Sequence, residues 1–561
     1  MPERSLSESN SIFRKNNRRP AKRRLLLFLV TVQGERETKN RPLSPSVFVC
    51  CFVHNNCFNA IIINDLEFYV WNNLIIGRGS MDLATLLVQV DDVLYTWLLI
   101  YLLAGSGIYF SIRTRFVQIR RFKDAMNCMM EKKEGDKGVS SFQALMIATA
   151  SRVGTGNMAG VATAIIMGGP GAAFWMWLMA VLGSASAFVE STLAQIYKKK
   201  EGDSFKGGPA YYIERALHAR WLGIIFAISL IATFAFGFNG LQAYNIVSAF
   251  EVYVGNLQES ILPTVIGVIL AVCALVIFFA GDIIGKISSV LVPVMAGLYI
   301  LIGVFVIITN ITRIPSVLAL ILADAFDFKA VFGGFTGSCM VLGIKRGLFS
   351  NEAGMGSAPN ASASATVSHP AKQGLAQIIS VYIDTLLICS TTVFLILLTG
   401  DWAFSGYSGI PLLQQCVARV IGPIGIHFVT VIVCLFAFTS IIGNYFYAEA
   451  NILFITKNKT AMTIFRIAAA IMVFIGAGNS LDVAWSLADI TMGLEAVVNI
   501  IAIVLLGRIA FAALDDYEKQ KKAGLDPVFY EGSIGINDTD VWKESGLTPD
   551  TSPAGQPGPR L

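Results

Sequence analysis

From Leu86 almost to Gly507, long apolar stretches alternate with short polar ones along the chain. A helix needs about 20 apolar residues to cross the hydrocarbon core of a bilayer, and these stretches reach that length repeatedly. They predict spans at residues 86–111, 142–168, 172–197, 221–250, 263–280, 285–309, 330–350, 374–400, 420–446, 461–480 and 483–507. The chain therefore reads as an all-α polytopic membrane protein of about 11 transmembrane helices. A single transmembrane bundle is expected over residues 81–510, with no soluble domain of any size.

The polar connections set an orientation. The first span runs into Arg113, Arg115, Arg120, Arg121 and Lys123, a basic stretch that belongs on the cytoplasmic side. Alternation then puts Lys198 to Lys200, Lys286, Lys372, Lys457, Lys459 and Arg508 inside, and the loops around Glu251, Asp401 and Asp482, poor in basic residues, outside. The expectation is a multi-pass protein of the plasma (inner) membrane, with the amino end of the core outside and the carboxyl end cytoplasmic.

Residues 1–80 break this pattern, because Arg14, Lys15, Arg18, Arg19, Lys22, Arg23 and Arg24 would fall outside. The apolar stretch Ser46 to Ile76 is interrupted by Asn55, Asn56, Asn59, Asn64, Asp65, Glu67, Asn72 and Asn73, each costly in hydrocarbon, so it is a poor span. No small-residue cleavage site follows a clean apolar core, which weakens a signal peptide. Residues 1–80 are expected to be a non-native or disordered extension with Met81 as the true start, Gly77, Arg78 and Gly79 being a ribosome-binding stretch read as codons. Residues 511–561 are read as a cytoplasmic tail, polar from Lys519 and rich in Pro and Gly from Thr548 to Pro559, hence mobile.

Composition narrows the class. Of 561 residues 54% are hydrophobic and 14% charged, where a soluble chain carries about a quarter charged. The net charge of +5 is small for the length and lies in loops between spans, so no nucleic-acid partner is expected. Six of the nine cysteines are scattered singly and three crowd near residue 50, which gives no disulfide framework.

Two glycine-rich segments carry the candidate chemistry. The second span holds Ser151-Arg152-Val153-Gly154-Thr155-Gly156-Asn157-Met158-Ala159-Gly160 deep in an apolar helix. This is either close helix packing through small residues or a helix broken at mid-membrane, whose carbonyls face a cation and whose amides face a carboxylate. The seventh span offers Phe332-Gly333-Gly334-Phe335-Thr336-Gly337-Ser338, followed by Gly343 to Gly354. With the first span set aside, spans two to six and seven to eleven make two sets of five, the second inverted, each opening on an interrupted segment. Paired interruptions at corresponding positions point to a transport site.

Charges at membrane depth add to this, since a central Arg, Lys or Asp costs on the order of 3 kcal/mol even on lenient scales. Arg152, Glu190 and Asp384 lie two or three turns from the cytoplasmic ends of their spans and are candidates to pair, as a structural ion pair or as a gate. In the ninth span Thr439 and Ser440 either bond back to their own helix or act as sodium ligands beside a broken helix. Asn239, Gln242 and Asn245 share one face of the fourth span and line a cavity or join helices.

Two other classes are weighed. An intramembrane enzyme needs a nucleophile with its base or a metal cluster, and His54, His218, His369 and His427 are dispersed, with no cofactor or metal spacing. A channel calls for repeated pore-lining residues or charged rings; paired broken helices favour a carrier.

The chain resembles the alanine or glycine:cation symporter family, the sodium:alanine symporters, over about residues 86–535. The resemblance rests on Gly154-Thr155-Gly156-Asn157, on Lys206-Gly207-Gly208-Pro209-Ala210-Tyr211-Tyr212, and on Gly347-Leu348-Phe349-Ser350-Asn351-Glu352-Ala353-Gly354-Met355-Gly356-Ser357-Ala358. It implies the leucine-transporter-like 5+5 inverted repeat with one extra N-terminal helix, and sodium-driven uptake of a small neutral amino acid by alternating access. By that similarity Thr155, Gly156, Asn157, Gln242, Thr336 and Gly337 surround the amino acid, while backbone near Val153 and the hydroxyls of Thr439 and Ser440 hold sodium. Members that take alanine and glycine tend to carry tryptophan where this chain has Asn444. A short amide there enlarges the pocket and adds hydrogen-bonding capacity, which brings in glutamine or serine beside alanine and glycine. Sodium as coupling ion, the amino acid and the lipid bilayer are the expected partners of a monomer.

Overall fold

Among the residues that the computed structural model describes, 83–543 apart from 132–137, 203, 256, 258, 281–282, 328–337 and 401–405, nine helices are long and apolar enough to cross a membrane. The expectations for residues 1–80, and for Thr336 and Gly337, lie outside the described residues. In chain order the helices are α1 (Ala84–Arg113), the short α2 (Val117–Arg120) and α3 (Phe122–Met129), α4 (Ser141–Arg152), α5 (Ala159–Gly168) and α6 (Ala172–Ile196). A small antiparallel hairpin, β1 (Lys199–Glu201) and β2 (Ser204–Lys206), precedes α7 (Pro209–Ala216), α8 (Arg220–Val254), α9 (Leu262–Ala280), α10 (Ile283–Thr309) and α11 (Ile314–Ala325). There follow α12 (Cys339–Asn351), α13 (Ala358–Ala363), α14 (Pro370–Leu397), α15 (Gly409–Ile421), α16 (Ile424–Ile455), α17 (Lys459–Ala477) and α18 (Leu481–Lys522).

The arrangement inverts the soluble pattern, as a bilayer requires. On α9, Val268, Ile269, Val272 and Val276 face outward, while Glu190, Gln242, Asn245, Asp384, Asn444 and Glu495 are buried in the bundle. Helices α6, α12 and α14 pack together, α17 covers α9 and α8, and α18 runs past α1, α6 and α8. Three helices carry a wide π turn, at Tyr95–Leu99, Ala232–Phe238 and Tyr382–Cys389. Such bulges redirect side chains and cluster at functional positions; here the last two lead into Asn239 and hold Asp384.

One of the predicted spans, residues 142–168, is built from half-helices. Helix α4 begins with a capping box, Ser140 Oγ accepting from Gln143 N at 3.1 Å and Gln143 Oε1 accepting from Ser140 N at 3.1 Å. It ends where Val153 leaves helical geometry at ψ 87° and Gly154 is extended; a single tight turn over Thr155–Asn157 leads into α5. The second interruption was expected at residues 332–338, of which 332–337 lie outside the described residues. Helix α12 runs without a break through Gly343 and Gly347 to Asn351, and the chain opens at residues 352–357 before α13. Here Glu352 is left-handed, and Gly354 and Gly356 adopt φ of 85° and 94°. A Cβ at Gly356 would stand 2.7 Å from Pro209 and 2.8 Å from Asn499. Gly343 and Gly347 instead let α12 lie against Ala172 and Met176 of α6.

The tail also differs from expectation. Helix α18 continues to Lys522, and the chain as far as Lys543 folds back onto the bundle. Phe529 N donates to Ser368 O at 2.9 Å, Ser368 Oγ to Pro527 O at 2.8 Å, and Trp542 Nε1 to Gln195 O at 2.8 Å. Phe529 and Trp542 are buried against one another and cover the ammonium of Lys198, which lies 5.0 Å from the Trp542 ring and 4.4 Å from Phe205. Two aromatic anchors in a polar stretch give it enough apolar area to dock.

Candidate substrate and ion site

The break between α4 and α5 is held open by side chains that replace its backbone partners. The Gly154 amide, which would continue the helical ladder to Ala150 O, donates to Asn157 Oδ1 at 2.9 Å. The Thr155 amide, which would reach Ser151 O, turns to Gln242 Oε1 of α8 at 3.3 Å. The carbonyls of Ala150 and Ser151 are thereby released at the negative end of α4. Ser440 Oγ of α16 donates to Ala150 O at 3.3 Å, and a Cβ on Gly154 would collide with that hydroxyl. Released carbonyls and a hydroxyl form a neutral oxygen set of the kind that holds sodium at a broken helix. Thr439 is different: its hydroxyl bonds back to Phe436 O at 2.9 Å and Leu435 O at 3.1 Å, the local alternative for such a residue.

Around the turn itself, Thr155 Oγ1 donates to Gln242 Oε1 at 2.9 Å and accepts from Asn245 Nδ2 at 2.7 Å. Gly156 faces the Phe349 ring so closely that a Cβ would strike it. Phe349 is packed between Phe238, centroids 4.6 Å apart, and Trp485, 5.1 Å apart. Asn157 is fully engaged by protein: besides accepting from Gly154 it donates to Asp384 Oδ1 at 2.7 Å and to Ser350 Oγ at 3.0 Å, which ties the break to α14 and α12. Asn444 lies one helical turn beyond Ser440; its Oδ1 is 2.7 Å from Ser151 Oγ and its Nδ2 donates to Asn239 Oδ1 at 3.0 Å. Val153, Thr155, Gly156, Asn157, Gln242, Ser440 and Asn444 thus converge, while sequence reasoning gave no role to Phe349, Phe238, Trp485 or Ser350. Phe349 and Ser350 sit inside one of the family strings, the available signal.

The three charged residues expected to pair do not close an ion pair with one another. Arg152 Nη1 donates to Gln377 Oε1 at 3.2 Å, and its Nε and Nη2 have no partner among the described residues. Its charge is nevertheless felt by Glu190, Glu352 and Asp384. Glu190 accepts from Gly354 N at 3.2 Å and Asn499 Nδ2 at 2.8 Å, and Asp384 from Asn157, Ser350 and Thr385. The carboxylates instead accept from donors on several elements, among them Gly354 and Asn157 of the two open stretches. Glu352, unremarked in the sequence, joins the interruptions: its Oε1 lies 3.1 Å from Ser151 Oγ and its Oε2 accepts from Ser357 Oγ at 2.6 Å.

On the far side of the Gly156 turn a cavity of about 230 Å³ is lined by Asp91, Asp92, Thr163, Lys345, Arg346, Trp485 and Asp489, among others. Its floor is Arg346, stacked 3.9 Å over the Trp485 ring and 3.0 Å from Asp489 Oδ1. Both Trp485 and Arg346 press on Gly160.

Residues 81–531 match the model of the sodium:alanine symporter family. The chain is 48% identical over 453 residues to the amino-acid carrier protein AlsT of Bacillus subtilis, covering 80% of this chain and 95% of that one. It is 45% identical over 465 residues to the probable sodium/glutamine symporter GlnT of the same organism, covering 82% and 96%. It is 34% identical over 454 residues to the sodium/alanine symporter AgcS of Methanococcus maripaludis, covering 79% and 99%. The protein is a multi-pass membrane transporter and not an enzyme; it belongs to the sodium:alanine symporter family.

Proposed function

We propose that the chain couples inward movement of sodium to uptake of a small neutral amino acid, alanine or glycine, by alternating access. The observation that carries this is the interrupted helix α4/α5, whose Ser151 is joined through Glu352 to Ser357 in the open stretch after α12. In this reading one extra helix precedes two inverted sets of five spans. Basic residues after α1 and in the loops at Lys198, Lys372 and Lys457 favour a cytoplasmic carboxyl end.

In this reading sodium sits against the released carbonyls of Ala150 and Ser151, backbone near Val153 and the Ser440 hydroxyl, with Thr439 beside it. The amino acid lies along Thr155 and Gly156 under Gln242 and Phe349, with Thr336 and Gly337 completing its surround. Sodium fixes the unwound turn, so the substrate carboxylate meets ordered amides and a cation together. Coupling requires each ligand to bind the closing state more tightly when the other is present, by a few kcal/mol. Closure then draws Phe349 and Trp485 over Gly156 on one side, while Arg152, Glu190 and Asp384 gate the other.

A second substrate reading, glutamine or serine, is favoured by Asn444, whose amide stands where it adds polar capacity, and by the name of the 45% identical relative. Uptake of labelled alanine and labelled glutamine into liposomes, with and without an inward sodium gradient, separates the two. Alanine uptake that follows the gradient is expected, and no gradient dependence for either amino acid overturns the symport. Asn444→Trp is expected to lower any glutamine uptake more than alanine uptake; equal losses remove Asn444 from specificity.

A further inference from the structure

Helix α18 carries a carboxyl group that neither break uses. Glu495 is fully buried, and both its oxygens lack a hydrogen-bond partner among the described residues. Among the described residues, no positive charge is paired with it. Glu352 from the α12/α13 break and Glu190 from α6 act on it as like charges. Tyr447 from α16, which lies among Glu352, Arg152, Glu190 and Glu495, has a hydroxyl that is also buried and without a partner among the described residues. Tyr212 of α7 bonds to Asn499, one turn further along α18. Toward the other end of α18, Lys345 and Arg346 are already committed to Asp489 and Asp91.

The hydroxyl chemistry decides the protonation state. Thr233, in the wide turn of α8, faces Glu495, but its own proton goes to Ser229 O at 2.9 Å. Thr491, one turn before Glu495, spends its proton on Leu487 O at 2.9 Å. The Thr233 oxygen therefore presents lone pairs, and a carboxyl meets lone pairs favourably only as a donor. An ionised carboxylate in such a place bears several kcal/mol of desolvation with nothing to offset it, whereas a carboxylic acid bears far less.

We propose that Glu495 is a proton-binding site: a carboxylic acid held inside the bundle, which gives its proton to water when α18 and α8 separate and takes one back before they close. The O–H bond breaks to leave a carboxylate and a hydrated proton, and re-forms on return, so the group carries one proton per opening. Its position beside Glu190, whose carboxylate accepts from Gly354 and Asn499, places that proton next to the α12/α13 break. This inference rests on the transporter reading for its consequence, but not for its first test.

The test is infrared difference spectroscopy of the full chain in lipid, native against Glu495→Gln, as pH is raised. A protonated-carboxyl carbonyl band that is present in the native protein at neutral pH, absent from E495Q and lost at high pH is the expected result. A band unchanged in E495Q, or absent from the native protein, overturns the proposal whatever the protein transports. Glu495→Asp, which keeps the acid, is expected to retain a shifted band and guards against a glutamine variant that does not fold. Uptake gives the second readout: the native rate depends on pH and the E495Q rate does not, and equal pH profiles overturn the coupling.

Discussion

Two groups of buried charge lie on either side of the Gly156 turn, and they are built in opposite ways. On the Trp485 side, Lys345 and Arg346 meet Asp91 and Asp489, two cations against two anions. Lys345 and Arg346 both lie 3.0 Å from Asp489, and the two cations also rest on the rings of Tyr95 and Trp485. On the other side Arg152 is surrounded by Glu190, Glu352 and Asp384, with Glu495 beyond, and its one described hydrogen bond goes to an amide. The first group balances its own charge and can stay shut without help. The second has more carboxyls than cations, and hydroxyls and amides from both broken helices hold them. A balanced group is a clasp; an unbalanced one is completed by what it binds, whether cation or proton.

The comparison is broken most directly at the balanced group. Asp489→Asn leaves Arg346 and much of Lys345 buried without their shared anion, and removing one partner of a buried pair costs about 3–5 kcal/mol. Thermal unfolding in detergent is expected to show this as the largest loss of any single variant here. Gly156→Ala comes next: its methyl meets the Phe349 ring, an overpacking of about 1–3 kcal/mol, and sodium-driven uptake is expected to fall to background while the protein still folds. At the unbalanced group Glu352→Gln keeps the shape and one acceptor, so a loss of about 1–2 kcal/mol is expected, one hydrogen bond to a buried acceptor. If E352Q destabilises as much as D489N, the distinction between the two groups is wrong.

The smallest effect comes through the tail. His369 precedes α14, the helix that supplies Gln377 to Arg152. Its Nδ1 accepts from Ala371 N at 3.1 Å, its Nε2 lies 3.3 Å from Asp516 Oδ2, and the ring stands against Tyr517 and Phe529. Burial pulls its imidazolium below the ordinary 6.5, and Asp516 pulls part of the way back. The neutral ring therefore favours the docked tail above 6.5, and that contribution is lost as pH falls from 6.5 toward the lower folded value. Proteolysis within residues 523–543 is expected to speed up over that interval, and His369→Gln to remove the dependence.

The first break was legible because Gly154-Thr155-Gly156-Asn157 combines freedom of backbone with a side chain, Asn157, able to cap its own turn. The second, expected at residues 332–338, lies almost wholly outside the described residues. Gly333, Gly334, Gly343, Gly347, Gly354 and Gly356 are equivalent as letters, and only packing shows that Gly343 and Gly347 serve contact with α6 while Gly354 and Gly356 turn the chain. Arg152, Glu190 and Asp384 were recognisable as costly charges, but their partners were not: Arg152 found an acceptor in Gln377, and the two carboxylates found donors far away in sequence. Glu495 carried the same signal, a carboxylate inside an apolar span, but it shares that span with Asp489 and no motif marks it out. Phe529 and Trp542 were hidden in a polar tail whose average said nothing about two aromatic anchors.

The sequence by itself determined that this chain lives in a membrane, how its apolar spans are spaced, and that glycines with polar companions interrupt at least one of them. Those properties follow from transfer energies and backbone freedom, which each short segment carries alone. Tertiary structure decided which interruption faces which, that Gln242 and Asn157 take over the amides of a broken helix, and that one group of buried charge is balanced while the other is not. Hydrogen bonds and ion pairs are chosen by distance in space, and residues hundreds of positions apart become neighbours only when the bundle has formed.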